Sequence, residues 1–150
     1  KHVAVVSDAG TPGVSDPGQE IVSHARDAGA QVEAIPGASA LAAALSVCGL
    51  RAATFVFYGF LPLKKGRQTL FAEIAASERS CVFYESPHRI MKTLEALASR
   101  LPADRRVGVY REITKLYEEH RVGTAAEVLA YFEQNVGKQR GEFVVLVEGR

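Results

Sequence analysis

The chain has 150 residues, 47% of them hydrophobic and 23% charged, with a formal net charge of +1. This is the composition of a soluble globular protein of one or two small domains, and it excludes a membrane span, since no apolar run approaches the roughly 20 residues a spanning helix needs. Nothing reads as a signal peptide or lipidation site, so the expected location is cytoplasmic with no membrane partner. In chain order, the apolar patterns predict a strand at 3–6, a helix from about Asp16 to Ala28, a strand at 31–35, a helix at 38–48, a strand at 54–60, a helix at 67–77 and a strand at 81–85. A helix at 87–101, strands at 106–111 and 117–122, a helix at 124–136 and a strand at 142–148 complete the series. The alternation is α/β with a mixed sheet. Near-continuous apolar strands such as TFVFYGF and FVVLV predict burial on both faces, and Ile90, Leu94, Leu97 and Leu101 form a helical stripe to cover one of them.

Helix starts are marked by Ser86-Pro87, by Thr124 with Glu127 as a capping box, and by Asp16-Pro17 with Gln19. A domain boundary falls near Gly49 to Ala53, giving segments 1–50 and 51–150, and the chain opens inside a predicted strand without an initiator Met, which reads as a fragment of a longer protein. Cys48 and Cys81 sit in apolar segments and read as buried thiols. His2, His24, His88 and His120 are scattered, no His/Cys group has metal-ligand spacing, and no metal is expected.

Two strand ends stand out. SDAGTPGVSDPG follows the first strand with more turn chemistry than a simple connection of about 2 to 6 residues requires. PGASALAAAL carries small residues from the next strand end straight into a helix. Glycine lets backbone approach a ligand closely, and ligands of open α/β sheets bind beyond the carboxyl ends of strands. Either segment alone is explained by tight turns and packing; their succession points to a shared ligand cleft. The run LPLKKGRQ gathers Lys64, Lys65 and Arg67 in one loop, with Arg89, Arg111, Lys115, Lys138 and Arg140 at other element ends. Such cations either converge on phosphates or form a solvated surface.

These segments, with FYGFLPLKKGR, FYESPHR, REITK and GEFVVLVEG in order, resemble the tetrapyrrole methylase superfamily and, within it, the family of ribosomal RNA small-subunit methyltransferase I. The resemblance spans nearly the whole chain, although the Gly-rich loop after the family's first strand has no counterpart in it. It implies the end of an N-terminal α/β domain followed by a C-terminal one, S-adenosylmethionine as cofactor, 16S rRNA of the small ribosomal subunit as substrate, a homodimer, and methylation of the ribose 2'-oxygen of a decoding-region cytidine. It also implies that Asp8, Ala9, Gly10, Ser15, Ser39 and Ala40 form one side of the cofactor cleft. Gly59, Leu61, Tyr110 and Arg111 would form the other, with either Tyr58 or Phe60 in contact. On the same resemblance, Lys64, Lys65, Arg67 and Arg89 contact RNA. A methyl donor of this kind calls chiefly for alignment of an acceptor oxygen; if a group accepts the ribose proton, Glu85, Glu112 and Lys115, all at strand ends, are the candidates. The alternatives are a methyltransferase acting on a tetrapyrrole or another small molecule, and a binding or dimerisation module without turnover.

Overall fold

The pentapeptide FVVLV is buried at every position and forms the central strand of a five-stranded sheet. The computed structural model describes residues 1–150, which gather into two units, Lys1–Ala40 and Leu41–Arg150.

In the second unit the strands are β1 (Phe55–Phe60), β2 (Ser80–Glu85), β3 (Arg106–Arg111), β4 (Glu119–Thr124) and β5 (Phe143–Val147). They lie in the order β1-β2-β5-β3-β4. β1 and β2 run parallel, β5 is antiparallel to both β2 and β3, and β4 is antiparallel to β3. Three helices, α3 (Arg67–Ala76), α4 (Ile90–Ala98) and α5 (Ala125–Gln134), supply the residues that pack with Cys81, Phe83, Val107, Val109, Val145 and Val147. Ile90, Leu94, Leu97 and Leu101 are all buried there, the stripe expected from the sequence. Burying each such side chain contributes about 1.5–3 kcal/mol before entropy is counted. The alternate positions, Val82, Tyr110, Val144 and Leu146, pack with the segment of α2 (Ala40–Val47) that follows Ala40 and with Cys48. This is why the second unit begins at Leu41, ahead of the boundary expected at Gly49 to Ala53: α2 supplies the cover for that face.

Several sequence expectations change. β1 is an edge strand, not one covered on both faces; Phe55 and Phe60 are 40% and 55% exposed. Its register with β2 slips between Phe57 and Phe60, where Gly59 takes φ 61, the left-handed conformation that favours glycine at a bulge. α4 begins at Ile90, not 87, because Pro87, His88 and Arg89 form a turn whose amide donors, from Arg89 and Ile90, both reach the Ser86 carbonyl at 3.1 Å. The capping box stands as expected: the Thr124 N–H donates to Glu127 Oε2 at 2.8 Å and the Glu127 N–H to Thr124 Oγ1 at 3.3 Å.

In the first unit, α1 (Gln19–Asp27) is capped by Gly18 at φ 135, with no side chain in the capping role expected of Asp16. Residues 3–6 and 31–35 form no strand. A strand exists only through a neighbour's hydrogen bonds, and neither run pairs with another segment of this chain; Val3, Val6 and Ile35 are 88%, 83% and 79% exposed.

Candidate functional site

Parallel alignment brings the ends of β1, β2 and β3 to one edge of the sheet, where β5 and β4 begin: Phe60 pairs with Tyr84, Glu85 and Arg111 with Phe143, and Arg111 with Glu119. Gly59, Leu61, Glu85, Tyr110, Arg111, Glu112 and Lys115 therefore lie at, or in the loops beyond, a single sheet edge. That is where open α/β sheets bind ligands.

At its centre is Glu85, whose side chain is fully buried. Cys81, Phe83 and Glu85 alternate toward the helix layer, so the strand's own period drives a carboxylate into the core, where it requires partners. Oε1 forms an ion pair with Arg89 Nε at 2.8 Å, the Nε–H of which donates to Ser86 Oγ at 3.2 Å, and accepts from the Ser86 N–H at 2.9 Å. Oε2 accepts from Arg67 Nη2 at 2.9 Å and from Thr93 Oγ1 at 2.7 Å. Three hydrogen bonds and the Arg89 ion pair thus compensate the buried carboxylate. The same guanidiniums hold the next loop: Arg89 Nη1 donates to the Leu61 carbonyl at 2.9 Å and Arg67 Nη1 to the Pro62 carbonyl at 3.1 Å. Leu61 itself is buried in the core, while Leu63, Lys64 and Lys65 project into solvent.

Between β3 and β4 the chain passes through left-handed backbone at Glu112 (φ 47) and Thr114 (φ 64). Glu112 Oε1 accepts from the Glu142 N–H at 2.8 Å and from Lys115 Nζ at 3.0 Å, and Lys115 also reaches Glu142 Oε2 at 2.8 Å. The Glu142 amide, helped by Lys115, holds the Glu112 carboxyl below its ordinary value, and Glu142 with Glu112 raises the Lys115 ammonium above its own. A carboxylate of lowered basicity and an ammonium that holds its proton are both poor acceptors of a hydroxyl proton at neutral pH. Arg111 donates through Nε to the Arg140 carbonyl at 2.6 Å and through Nη1 to the Tyr117 carbonyl at 3.0 Å. Lys138 pairs with Glu119 at 2.6 Å. Tyr110 is fully buried and donates to the Cys48 carbonyl at 3.1 Å. Tyr58 turns to the helix side and donates to Glu73 at 3.0 Å, whereas Phe60 is exposed and edge-on to Tyr84 at 5.4 Å. His88 is exposed, and no group of three or more His, Cys, Asp or Glu is placed to hold a metal ion.

In the first unit the two small-residue segments meet. Thr11 Oγ1 donates to the Ala38 carbonyl at 3.3 Å. A Cβ on Gly37 would stand 3.4 Å from Thr11 Oγ1, and one on Gly10 3.6 Å from the Ala38 carbonyl. Gly10 takes φ 75 and Ser15 φ 60. Asp8, Ala9, Gly10, Ser15 and Ala40 are exposed, and Ser39 is half-buried. Thr11 and Thr93 were not legible as site residues; their partners lie 27 and 8 positions away, and only the fold supplies them.

The family model of the Tetrapyrrole (Corrin/Porphyrin) Methylases matches residues 1–129, and the chain belongs to that family. Among its relatives are proteins named ribosomal RNA small subunit methyltransferase I: that of Synechocystis is 46% identical over 99% of this chain and 53% of its own length, and that of Bacillus subtilis is 44% identical over 99% and 50%. The chain thus spans about half the length of the curated relatives it matches. Among solved structures, the methyltransferase CobJ superposes with a TM-score of 0.65 at 21% identity, covering 93% of this chain and 62% of its own. Uroporphyrin-III C-methyltransferase of Thermus thermophilus, complexed with S-adenyl homocysteine, superposes with a TM-score of 0.58 at 18% identity, covering 93% and 62%. At these identities the likeness shows the fold.

Proposed function

We propose that the full-length protein transfers the methyl group of S-adenosylmethionine to the ribose 2'-oxygen of a decoding-region cytidine in 16S rRNA of the small ribosomal subunit, in the cytoplasm and as a homodimer. The observation that carries this reading is the identity of 46% to 40%, over nearly all of this chain, with relatives named for small-subunit rRNA methylation. The cofactor, when bound, supplies a methyl group already activated on sulfur. The Gly10 and Gly37 segments fit such a ligand: they approach each other closely, joined by the Thr11–Ala38 hydrogen bond, and backbone around Asp8, Ala9, Gly10, Ser15, Ser39 and Ala40 is open to it. Gly59 and Arg111, half-buried at the sheet edge, are the second-unit candidates for contact, while Leu61 and Tyr110 are buried in the core and shape it from within.

Glu85, Glu112 and Lys115 are each committed to ion pairs, so alignment of the acceptor hydroxyl, rather than proton removal by one strong base, is the main contribution of this part of the protein. Lys64 and Lys65 offer charge to the phosphate backbone. The test is incubation of the full-length protein with methyl-labelled cofactor and small ribosomal subunits from cells lacking its gene, followed by nuclease mapping. Label on the ribose of one small-subunit nucleotide supports the reading. Cofactor binding without label on RNA would sink it and turn attention to tetrapyrroles, the substrates in the family's name.

A further inference from the structure

The loop carrying Lys64 and Lys65 has no strand or helix of its own between Leu61 and Gly66. What fixes its path is the pair of guanidiniums on either side of Glu85. Each arginine is bifunctional: one nitrogen goes to the buried carboxylate, at 2.9 and 2.8 Å, and another to a loop carbonyl, Pro62 at 3.1 Å and Leu61 at 2.9 Å. Arg67 also lies over the Phe71 ring, 4.9 Å from its centroid, and donates to Thr93 Oγ1 at 2.6 Å. Their side chains are only 11% and 18% exposed, so the charge of this segment that faces solvent is that of Lys64 and Lys65.

We propose that Arg67 and Arg89, locked by Glu85, are positioning residues that hold the 61–66 loop so that Lys64 and Lys65 stand at the ligand edge of the sheet, and that neither guanidinium itself touches RNA. This departs from the direct RNA contact that the sequence suggests for both arginines. Its kinetic half rests on the proposed RNA function; its structural half does not.

The informative variant is R89K. An ammonium keeps the charge opposite Glu85 but lacks the fork that reaches the Leu61 carbonyl at the same time. E85A is avoided because it would leave two guanidiniums buried without an anion. T124A, which removes the capping box at the opposite end of the sheet, serves as a variant of comparable destabilisation that leaves the loop bonds alone. In the full-length protein, native-state trypsin nicking after Lys64 or Lys65 should rise about tenfold in R89K and stay near wild type in T124A, because cleavage reports local opening. With small ribosomal subunits as substrate, R89K should raise KM about tenfold with kcat little changed, the signature of lost uniform binding. In a K64Q/K65Q background, where the loop charge is already gone, adding the pair E85Q/R89Q, which preserves net charge, should leave the salt slope of RNA binding unchanged.

Equal nicking in R89K and T124A would overturn the clamp. A salt slope lowered by about one more when E85Q/R89Q is added to K64Q/K65Q would also overturn it, by making Arg89 a phosphate contact. Raised nicking with an unmoved KM would uphold the clamp and count against the RNA role of the loop.

Discussion

Tyr110 separates a residue that builds the site from one that touches its ligand. It ends β3 beside Arg111, where a cofactor wall is expected, yet its ring is wholly buried and its hydroxyl donates to the Cys48 carbonyl at 3.1 Å. Burial, with the Cys48 thiol adding to it, pushes the phenol above its ordinary value of 10.0. Tyr110→Phe keeps the ring and removes the donor, leaving the carbonyl without that bond; the cost is about 1–2 kcal/mol, or a fall in Tm of about 5–10 °C for a domain of this size. The space for the ring comes from Gly108, where a Cβ would lie 2.5 Å from the Tyr110 hydroxyl and 2.9 Å from Cε2 and Cζ. Gly108→Ala therefore overpacks the site, at about 1–3 kcal/mol. Removing the hydroxyl relieves the shortest of those contacts, so the double variant should be more stable than the sum of the single losses by about 0.5 kcal/mol or more. Thermal melts of the four proteins and a titration with S-adenosylmethionine decide the matter. Strict additivity would refute the packing argument. An unchanged Tm with weakened cofactor binding in Tyr110→Phe would make the hydroxyl a ligand contact.

Three further outcomes are expected. Lys64→Gln with Lys65→Gln should weaken RNA binding and lower its salt slope by about 1.4–1.8, from 0.7–0.9 per phosphate contact, with cofactor affinity and Tm unmoved; an unaltered slope removes both lysines from the interface. Thr124→Ala should cost about 1 kcal/mol, seen as a lower Tm, and a melt identical to wild type would show that the capping box contributes nothing. Because Glu112 is held below its ordinary 4.5 and Lys115 above its ordinary 10.5, their contributions to stability run in opposite directions with pH. That of Glu112 is complete above pH 4.5 and fades as pH falls through its folded value, and that of Lys115 is complete below 10.5 and fades as pH rises beyond it. The stability gap between wild type and Glu112→Gln should then shrink on acidification below pH 4.5; a gap constant from neutral pH to pH 3 would contradict this.

The order of elements from β1 to β5 was legible because local signals agreed with the fold: the α4 stripe, the Thr124–Glu127 box and the continuous FVVLV each point to one outcome. TFVFYGF reads like FVVLV, yet one is an edge and the other the centre, since strand order is decided by pairing rather than by apolar content. The short strands 3–6 and 31–35 failed for the same reason, as an apolar run cannot announce whether a neighbour is present to pair with it. Candidate site residues could be named by their position at strand ends, while their partners in the fold were hidden. Glu85 could be placed on the core face by counting from Cys81, but nothing local shows that Arg67, 18 residues earlier, closes on the same carboxylate as Arg89.

β5 is last in the chain and central in the sheet, touching β2 on one side and β3 on the other. During synthesis, therefore, the parallel pair β1–β2 and the hairpin β3–β4 emerge as two ribbons with facing, unpaired edges, and no strand pairs with both until Phe143–Val147 arrives. Pairings this distant in sequence form slowly, and the open edges invite a second chain in the interval. The order of translation thus makes the last-made strand of the sheet the one that commits it.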